Sequence, residues 1–442
     1  MAMPIVTMSL PVNVFMTALL TKAFPLPITT IGLISALPFV GNFLQIFAAP
    51  FLAKWKPPKS ITVTAATLHL LTWASLGVFL PWIPRDQPTT AGHWLIVWFI
   101  IVSCFGAVAG VSWNAWIQEW VPDRLRGKYF GRRNGTLQVS TLVFLLLSGW
   151  SLAHWNYAIP VFQAIVVGAV LMRLFSLRWQ WVSPTRPWRQ QLAAGPAPPF
   201  LEQLRVVGAA RSLLGFIAFG AIWSFGANCF GPFYHVFMFE HLGFSAFDVG
   251  ILSTLSQLGG ALSLPTWGRL LDRYGNKSVM TFSLILWQVQ NFLWCFLEPS
   301  NSGLLYAMWT WGGVTSAGFV LGQFTLLLRL IPLEAKNLAI GVHLATTSLV
   351  AAIAPVVGGS TLSWALGRWT NDLAVYHVCF LLQPTLALGG AFVLLRVREA
   401  QASSLTMVFG AMRNIRTLSG VLGLSFLTNY VFFKEEPKNI RK

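Results

Sequence analysis

Residues 249–279 read VGILSTLSQLGGALSLPTWGRLLDRYGNKSV. Their opening is an apolar run of about twenty residues, the length a helix needs to cross a bilayer. The run closes on a compact charged turn, Gly268-Arg269-Leu270-Leu271-Asp272-Arg273-Tyr274-Gly275-Asn276-Lys277. The stretch therefore reads as a membrane helix ending in a charged hinge.

It has a partner earlier in the chain. A shift of 218 positions lays 31–61 on 249–279 without a gap, pairing Gly32 with Gly250, Ser35 with Ser253, Gly41 with Gly259 and Lys59 with Lys277. Eight of the 31 positions are identical, part of which biased apolar composition alone would give. A second correspondence strengthens it: Pro122, Arg126 and Gly131 recur as Pro332, Lys336 and Gly341 at a shift of 210, with the same internal spacing. The chain is read as a tandem repeat, which has to be settled before its parts are interpreted.

Composition agrees. Apolar residues make up 55% of the chain and charged residues only 10%, with 21 tryptophans, as in a polytopic membrane protein and unlike a soluble domain. A net charge of +17 would suggest nucleic acid in a soluble chain, but here the basic residues sit almost entirely in short segments between apolar runs. Membrane topology accounts for that pattern, and no nucleic-acid partner is expected. The four cysteines, Cys104, Cys229, Cys295 and Cys379, fall inside apolar runs without metal-like spacing, so neither disulfides, a zinc site nor a cofactor is expected. The opening MAMPIVTMSL lacks the basic region of a signal peptide, the first charge being Lys22.

Apolar runs predict twelve spans. In the first half they are 3–24, 28–53, 61–82, 93–117, 134–155 and 157–177; in the second, 212–239, 249–271, 279–297, 304–328, 338–364 and 373–395. Residues 1–178 and 212–396 are thus expected to form two six-helix bundles, joined by a proline- and arginine-rich cytoplasmic linker at 179–211. With the amino terminus inside, all of the 30 Lys and Arg except Lys22, Arg85 and Arg368 are assigned to the cytoplasmic side, which predicts that both termini lie there. In the tail, 397–442, the spacing of Leu405, Val408, Met412, Ile415 and Leu418 beside Arg413 and Arg416 predicts an interfacial amphipathic helix. Residues 418–433 are apolar but short, and are read as interfacial too.

Two six-span halves, with a G-x-x-x-D-R-x-G-x-K turn between the second and third span of a half, resemble the major facilitator superfamily. The specific residues are Gly268, Leu270, Asp272, Arg273, Gly275 and Lys277, supported by Pro122-x-x-x-Arg126-Gly127. The resemblance implies an all-α membrane protein of twelve transmembrane helices, in two bundles related by a pseudo-two-fold axis. It also implies a secondary transporter, or permease, that rocks around a central cavity and exposes it alternately to either side. It implies a cytoplasmic latch at Asp272 and Arg273, for which a physical reason stands beside it. Glycines permit a tight turn, and a carboxylate at a helix end can pair with basic residues of the other half, Arg126, Arg132 or Arg133, near Glu119. Solvated interfacial charge is the competing reading. The first-half copy departs from the pattern, with Pro50, Lys54 and Pro57 at the positions of Gly268, Asp272 and Gly275. We expect the signs to be exchanged there, Lys54 facing Glu334.

On the same resemblance the first, fourth, seventh and tenth spans line the cavity. Their polar and aromatic residues away from the ends are Asn13, Thr17, Trp113, Asn114, Trp223, Asn228, Trp309, Trp311 and Gln323, none of them ionisable. An anion carrier needs a buried cation and a cation carrier a buried carboxylate. The expected substrate is therefore a small neutral or amphipathic organic molecule held by amide hydrogen bonds and indole faces. His69, mid-span, is a candidate for proton coupling, the alternative being a helix-to-helix hydrogen bond. A membrane enzyme is disfavoured because the one dense loop, 119–133, has no His, Cys or Ser. A non-transporting sensor or scaffold and a proton-coupled exporter of lipophilic compounds stay open. Besides substrate, the expected partners are membrane lipids. The chain is expected to be a monomer in the plasma, or inner, membrane.

Overall fold

A computed structural model describes residues 2–53, 57–121, 123–183, 199–399, 403–412 and 421. Among them every regular element is helical. In the first half these are α1 (Met3–Met8), α2 (Val14–Ala18), α3 (Ile28–Ala53), α4 (Pro58–Phe79), α5 (Pro88–Trp120), α6 (Asp123–His154) and α7 (Ile159–Val182). The second half has α8 (Phe200–Ala209), α9 (Arg211–Cys229), α10 (Gly231–Glu240), α11 (Ala246–Tyr274), α12 (Asn276–Asn291), α13 (Leu304–Leu330), α14 (Lys336–Leu366), α15 (Asp372–Phe380), α16 (Leu382–Arg396) and α17 (Leu405–Met412).

Proline sets many of the starts. Pro58, Pro88, Pro160 and Pro232 occupy the first turns of α4, α5, α7 and α10, where a missing N–H costs nothing and the fixed φ suits a helix. The expected second span, 28–53, coincides with α3. Among the described residues, ten helical stretches are long and apolar enough to cross a membrane. Their outer faces carry residues such as Leu147, Phe175 and Val289, each more than half exposed, as lipid contact requires.

Three expected spans are broken. The first divides around Ser9–Asn13, where Asn13 caps α2 by accepting from the Met16 N–H at 2.8 Å, and it ends in a π-helical turn, Leu19–Ala23. The seventh divides at Phe230, just before Pro232, and the twelfth at Leu381, just before the turn containing Pro384. The expected fifth span gains eleven residues at its start: the basic loop is not a loop, because α6 begins at Asp123, and Arg132 and Arg133 lie on it. α11 is 29 residues long but not among the ten apolar stretches.

Contacts divide the chain into two compact units that cut across the sequence halves. The first comprises Met1–Pro199, Ser224–Ile251 and Ile340–Cys379; the second comprises Phe200–Trp223, Leu252–Ala339 and Phe380–Lys442. In the first, buried Trp73 meets Phe15 and Phe99 edge-on at centroid distances of 6.3 and 5.9 Å. In the second, Phe219, Met280, Leu284, Phe319 and Leu326 form the core. There the tail helix α17 buries Val408 among Trp267, Val279 and Phe282, so part of its apolar face packs on protein. Residues 413–420 and 422–442, and with them nearly all of the apolar 418–433, lie outside the described residues.

Candidate functional site

The first unit holds a cavity of about 840 Å³. It is bordered by α1, the later part of α3 at Asn42 and Gln45, the middle of α4 at His69, the last third of α5 and the first turns of α6. The end of α7 completes it. Trp113 and Asn114, two of the expected residues, stand on its wall. The Arg133 guanidinium lies over the Trp113 ring, 4.1 Å from its centroid, a cation–π contact between α5 and α6.

Three ionisable residues, His69, Arg133 and Arg173, border this cavity. The charge pattern assigns Arg173, with the other basic residues, to the cytoplasmic side of the sixth span. It lies inside that span, nine residues before the end of α7. The signal was one arginine within an otherwise apolar run. Among the described residues lining the cavity none is acidic.

His69 is held by a local network. The Ser9 hydroxyl donates to the Ile5 carbonyl at 2.8 Å and accepts from the Trp73 indole at 3.1 Å. Its oxygen is also 3.2 Å from His69 Nε2. With the hydroxyl proton committed to Ile5, Nε2 is the donor in that pair, which makes His69 the Nε2–H tautomer. Gly106 leaves room for the ring, since a Cβ there would lie 3.3 Å from Nε2.

The other expected cavity residues have other surroundings. Asn13 is engaged by its capping bond and by donating to the Met8 and Leu10 carbonyls at 3.3 and 2.8 Å. Its amide thus caps α2 in this structure. Thr17 donates to the Asn13 carbonyl at 3.0 Å and lies 3.4 Å from His235 Nδ1, its own equivalent under the 218 shift. Asn228 donates to the Ser224 carbonyl at 2.8 Å. In the second unit Trp223 packs against Phe319 and Trp287, at centroid distances of 4.7 and 5.2 Å, while Trp309 and Gln323 are half-buried on α13.

At the other end of α3 and α6 the first unit is closed by close approaches at glycine. A Cβ on Gly149 would lie 2.5 Å from the Ala246 carbonyl oxygen, one on Gly250 3.2 Å from that of Leu145, and one on Gly359 3.1 Å from that of Ile28. A Cβ on Gly32 would collide with the Pro355 carbonyl oxygen. The four contacts are two equivalent pairs, because Ile28 and Gly32 map on Ala246 and Gly250 by 218 and Leu145 and Gly149 on Pro355 and Gly359 by 210. Small residues let backbones approach and exchange Cα–H···O contacts. From Arg133 to Gly149 is sixteen residues along α6, about 24 Å, so seal and cavity occupy opposite ends of the same helices. Beside the seal, Ser245 and Asp248 cap α11 reciprocally, at 2.8 and 3.2 Å.

The charged turn lies in the second unit. α11 ends at Tyr274, Gly275 has φ +87°, and α12 begins at Asn276; the positive φ is why glycine stands there. Gly268 lies on α11 and needs no such freedom, and Lys277 sits in the first turn of α12. Asp272 and Arg273 are exposed, as is Glu334. The residue that organises the turn was not foreseen. Glu399 accepts from the Asn276 and Lys277 backbone N–H groups at 3.1 and 2.7 Å, from Asn276 Nδ2 at 2.8 Å and from Arg329 at 3.1 Å. It is the counter-charge at the positive end of α12. Lys54 and the side chains of Glu119 and Arg126 lie outside the described residues.

His241, just past α10, gives a pH dependence. Burial lowers its pKa from the ordinary value near 6.5, against the opposing pull of Asp372. A depressed folded pKa contributes stability that is present above the unfolded value and lost as pH falls through the folded one. Thermal stability is expected to decline on acidification below about pH 6.5, and less steeply in His241→Gln. Identical slopes in parent and variant would remove His241 as the cause.

Long apolar helices in a repeated set define a multi-pass membrane protein. The profile of the Major Facilitator Superfamily matches residues 5–227 and again 221–433, and the chain belongs to that superfamily. The D-xylose–proton symporter has a TM-score of 0.71 at 12% identity, over 91% of this chain and 98% of that one. A variant of the nucleoside transporter NupG has 0.68 at 14%, over 90% and 97%. Both show the fold alone. The MFS-type transporter calB of Penicillium decumbens is 25% identical over 122 residues, 28% of this chain and 21% of that protein. For ltbE of Aspergillus luteorubrus the values are 25% over 175 residues, 37% and 32%.

Proposed function

We propose that this protein carries a small amphipathic organic solute across the plasma membrane by alternating access, with both termini in the cytoplasm. The observation that carries this reading is the seal of four glycine–carbonyl contacts in two repeat-equivalent pairs. Contacts of that kind, backbone against glycine with the Phe233 ring beside Gly32 and Gly359, are suited to being made and broken repeatedly. A cavity at the opposite end of α3 and α6 supplies the other requirement, with Trp113 and Asn114 offering an indole face and an amide. The steep alternation of basic segments supports the orientation.

The test is uptake into liposomes containing the purified protein, with labelled sugars, nucleosides, amino acids, organic acids and lipophilic compounds. Saturable uptake of one class, absent from protein-free vesicles and reduced in Asn114→Ala, is expected. Binding without translocation of any compound would favour a sensor or scaffold.

A further inference from the structure

We infer that the cavity of the first unit binds the oxyanion of an organic acid, with the Arg173 guanidinium as its principal cation. Arg173 is 8% exposed and borders the cavity, and its Nε is buried without a hydrogen-bond partner. Two further polar atoms on the same wall are in the same condition, the indole Nε1 of Trp116 and the amide Oε1 of Gln180. An arginine cannot shed its proton to escape burial. Within a membrane it persists where a counter-charge or hydrogen-bond acceptor meets it, and among the described residues lining the cavity no carboxylate does so.

The guanidinium bordering the cavity defines the ligand's chemistry. The Arg173 fork matches a carboxylate or phosphate-type oxyanion. Arg133, stacked on Trp113, places a second cation on the wall. A bare inorganic anion would fill little of about 840 Å³, a volume in the range of small-molecule sites. The solute's amphipathic character is thereby specified as an acidic head on an apolar body. Only the ligand's being carried, as opposed to resident, rests on the transport reading above.

The experiment is thermal stabilisation of the delipidated, detergent-purified protein by matched acid and amide pairs: phenylacetate and phenylacetamide, octanoate and octanamide, indoleacetate and indoleacetamide. Inorganic phosphate and an anionic phospholipid complete the set. At least one acid is expected to stabilise where its amide does not, with affinity falling roughly thirtyfold in Arg173→Gln. The ligand-free Arg173→Met variant is expected to melt no lower than the parent, since it removes an uncompensated buried charge. Equal stabilisation by acids and amides, acid binding unchanged in Arg173→Gln, or a response to the phospholipid or inorganic phosphate alone would overturn the inference. So would a ligand-free Arg173→Met protein that melts well below the parent. Uptake is scored separately: a protein that transports only neutral solutes sinks this inference alone, and one that binds acids without moving anything sinks the transport reading alone.

Discussion

Gly149→Leu is expected to suppress transport and to open the sealed end of the first unit. The Ala246 carbonyl oxygen lies 2.5 Å from where the new Cβ would stand, so α6 and the start of α11 cannot keep their separation. Overpacking of this kind costs about 1–3 kcal/mol. If the sealed arrangement alone bears that cost, its population relative to the opened one falls by a factor of roughly 5 to 150. The reporter is a cysteine at Ala246, which is fully buried in the parent and is expected to react slowly there with a membrane-impermeant maleimide. In the Gly149→Leu background its labelling is expected to quicken by a similar factor, with the same effect at the repeat-equivalent Gly359. Gly168→Leu is the control, because nothing lies within 4 Å of a Cβ at that position on α7. Unchanged labelling and uptake in Gly149→Leu would mean that these contacts are packing and not a gate.

The second large effect belongs to Glu399. Its alanine variant leaves two backbone N–H groups at the start of α12 and the Asn276 amide without their acceptor. Loss of a cap costs about 1 kcal/mol, and a buried unsatisfied donor about 1–3 more. The Glu399 side chain is 2% exposed, so water does not readily replace it. A destabilisation of about 2–4 kcal/mol is expected, with amide exchange accelerated at Asn276 and Lys277 ahead of the rest of α12. Arg329→Gln is expected to cost less than about 1 kcal/mol, since the arginine is 54% exposed and its ion pair is screened. Equal losses in the two variants would show that the ion pair, and not the cap, holds the turn.

How much of this was legible in sequence differs by kind of signal. Hydropathy located α3 to the residue because apolar composition and helix coincide there. It misplaced the start of α6 because a charged segment can be helical without being apolar, and 123–133 is both charged and helical. It could not see the breaks at 9–13 and at Phe230, which depend on caps and prolines that barely alter a window average. Arg173 was visible but was assigned by its neighbourhood in sequence when its place along the helix decides its role. Glu399 was out of reach in principle: it meets Asn276 across 123 positions, and no local pattern encodes that meeting. The repeat was the most productive reading, since the shifts of 218 and 210 turned out to relate the seal's contacts as well as its residues.

The make-up of that seal has a consequence for the conditions in which the protein can work. Ion pairs loosen as ionic strength rises, because mobile counterions compete for each partner. Glycine backbone against peptide oxygens, with the Phe233 ring beside Gly32 and Gly359, offers those counterions nothing to compete for. The glycine–carbonyl approaches of the first unit thus carry little dependence on ionic strength, while the charged turn at Glu399 keeps the sensitivity that they lack.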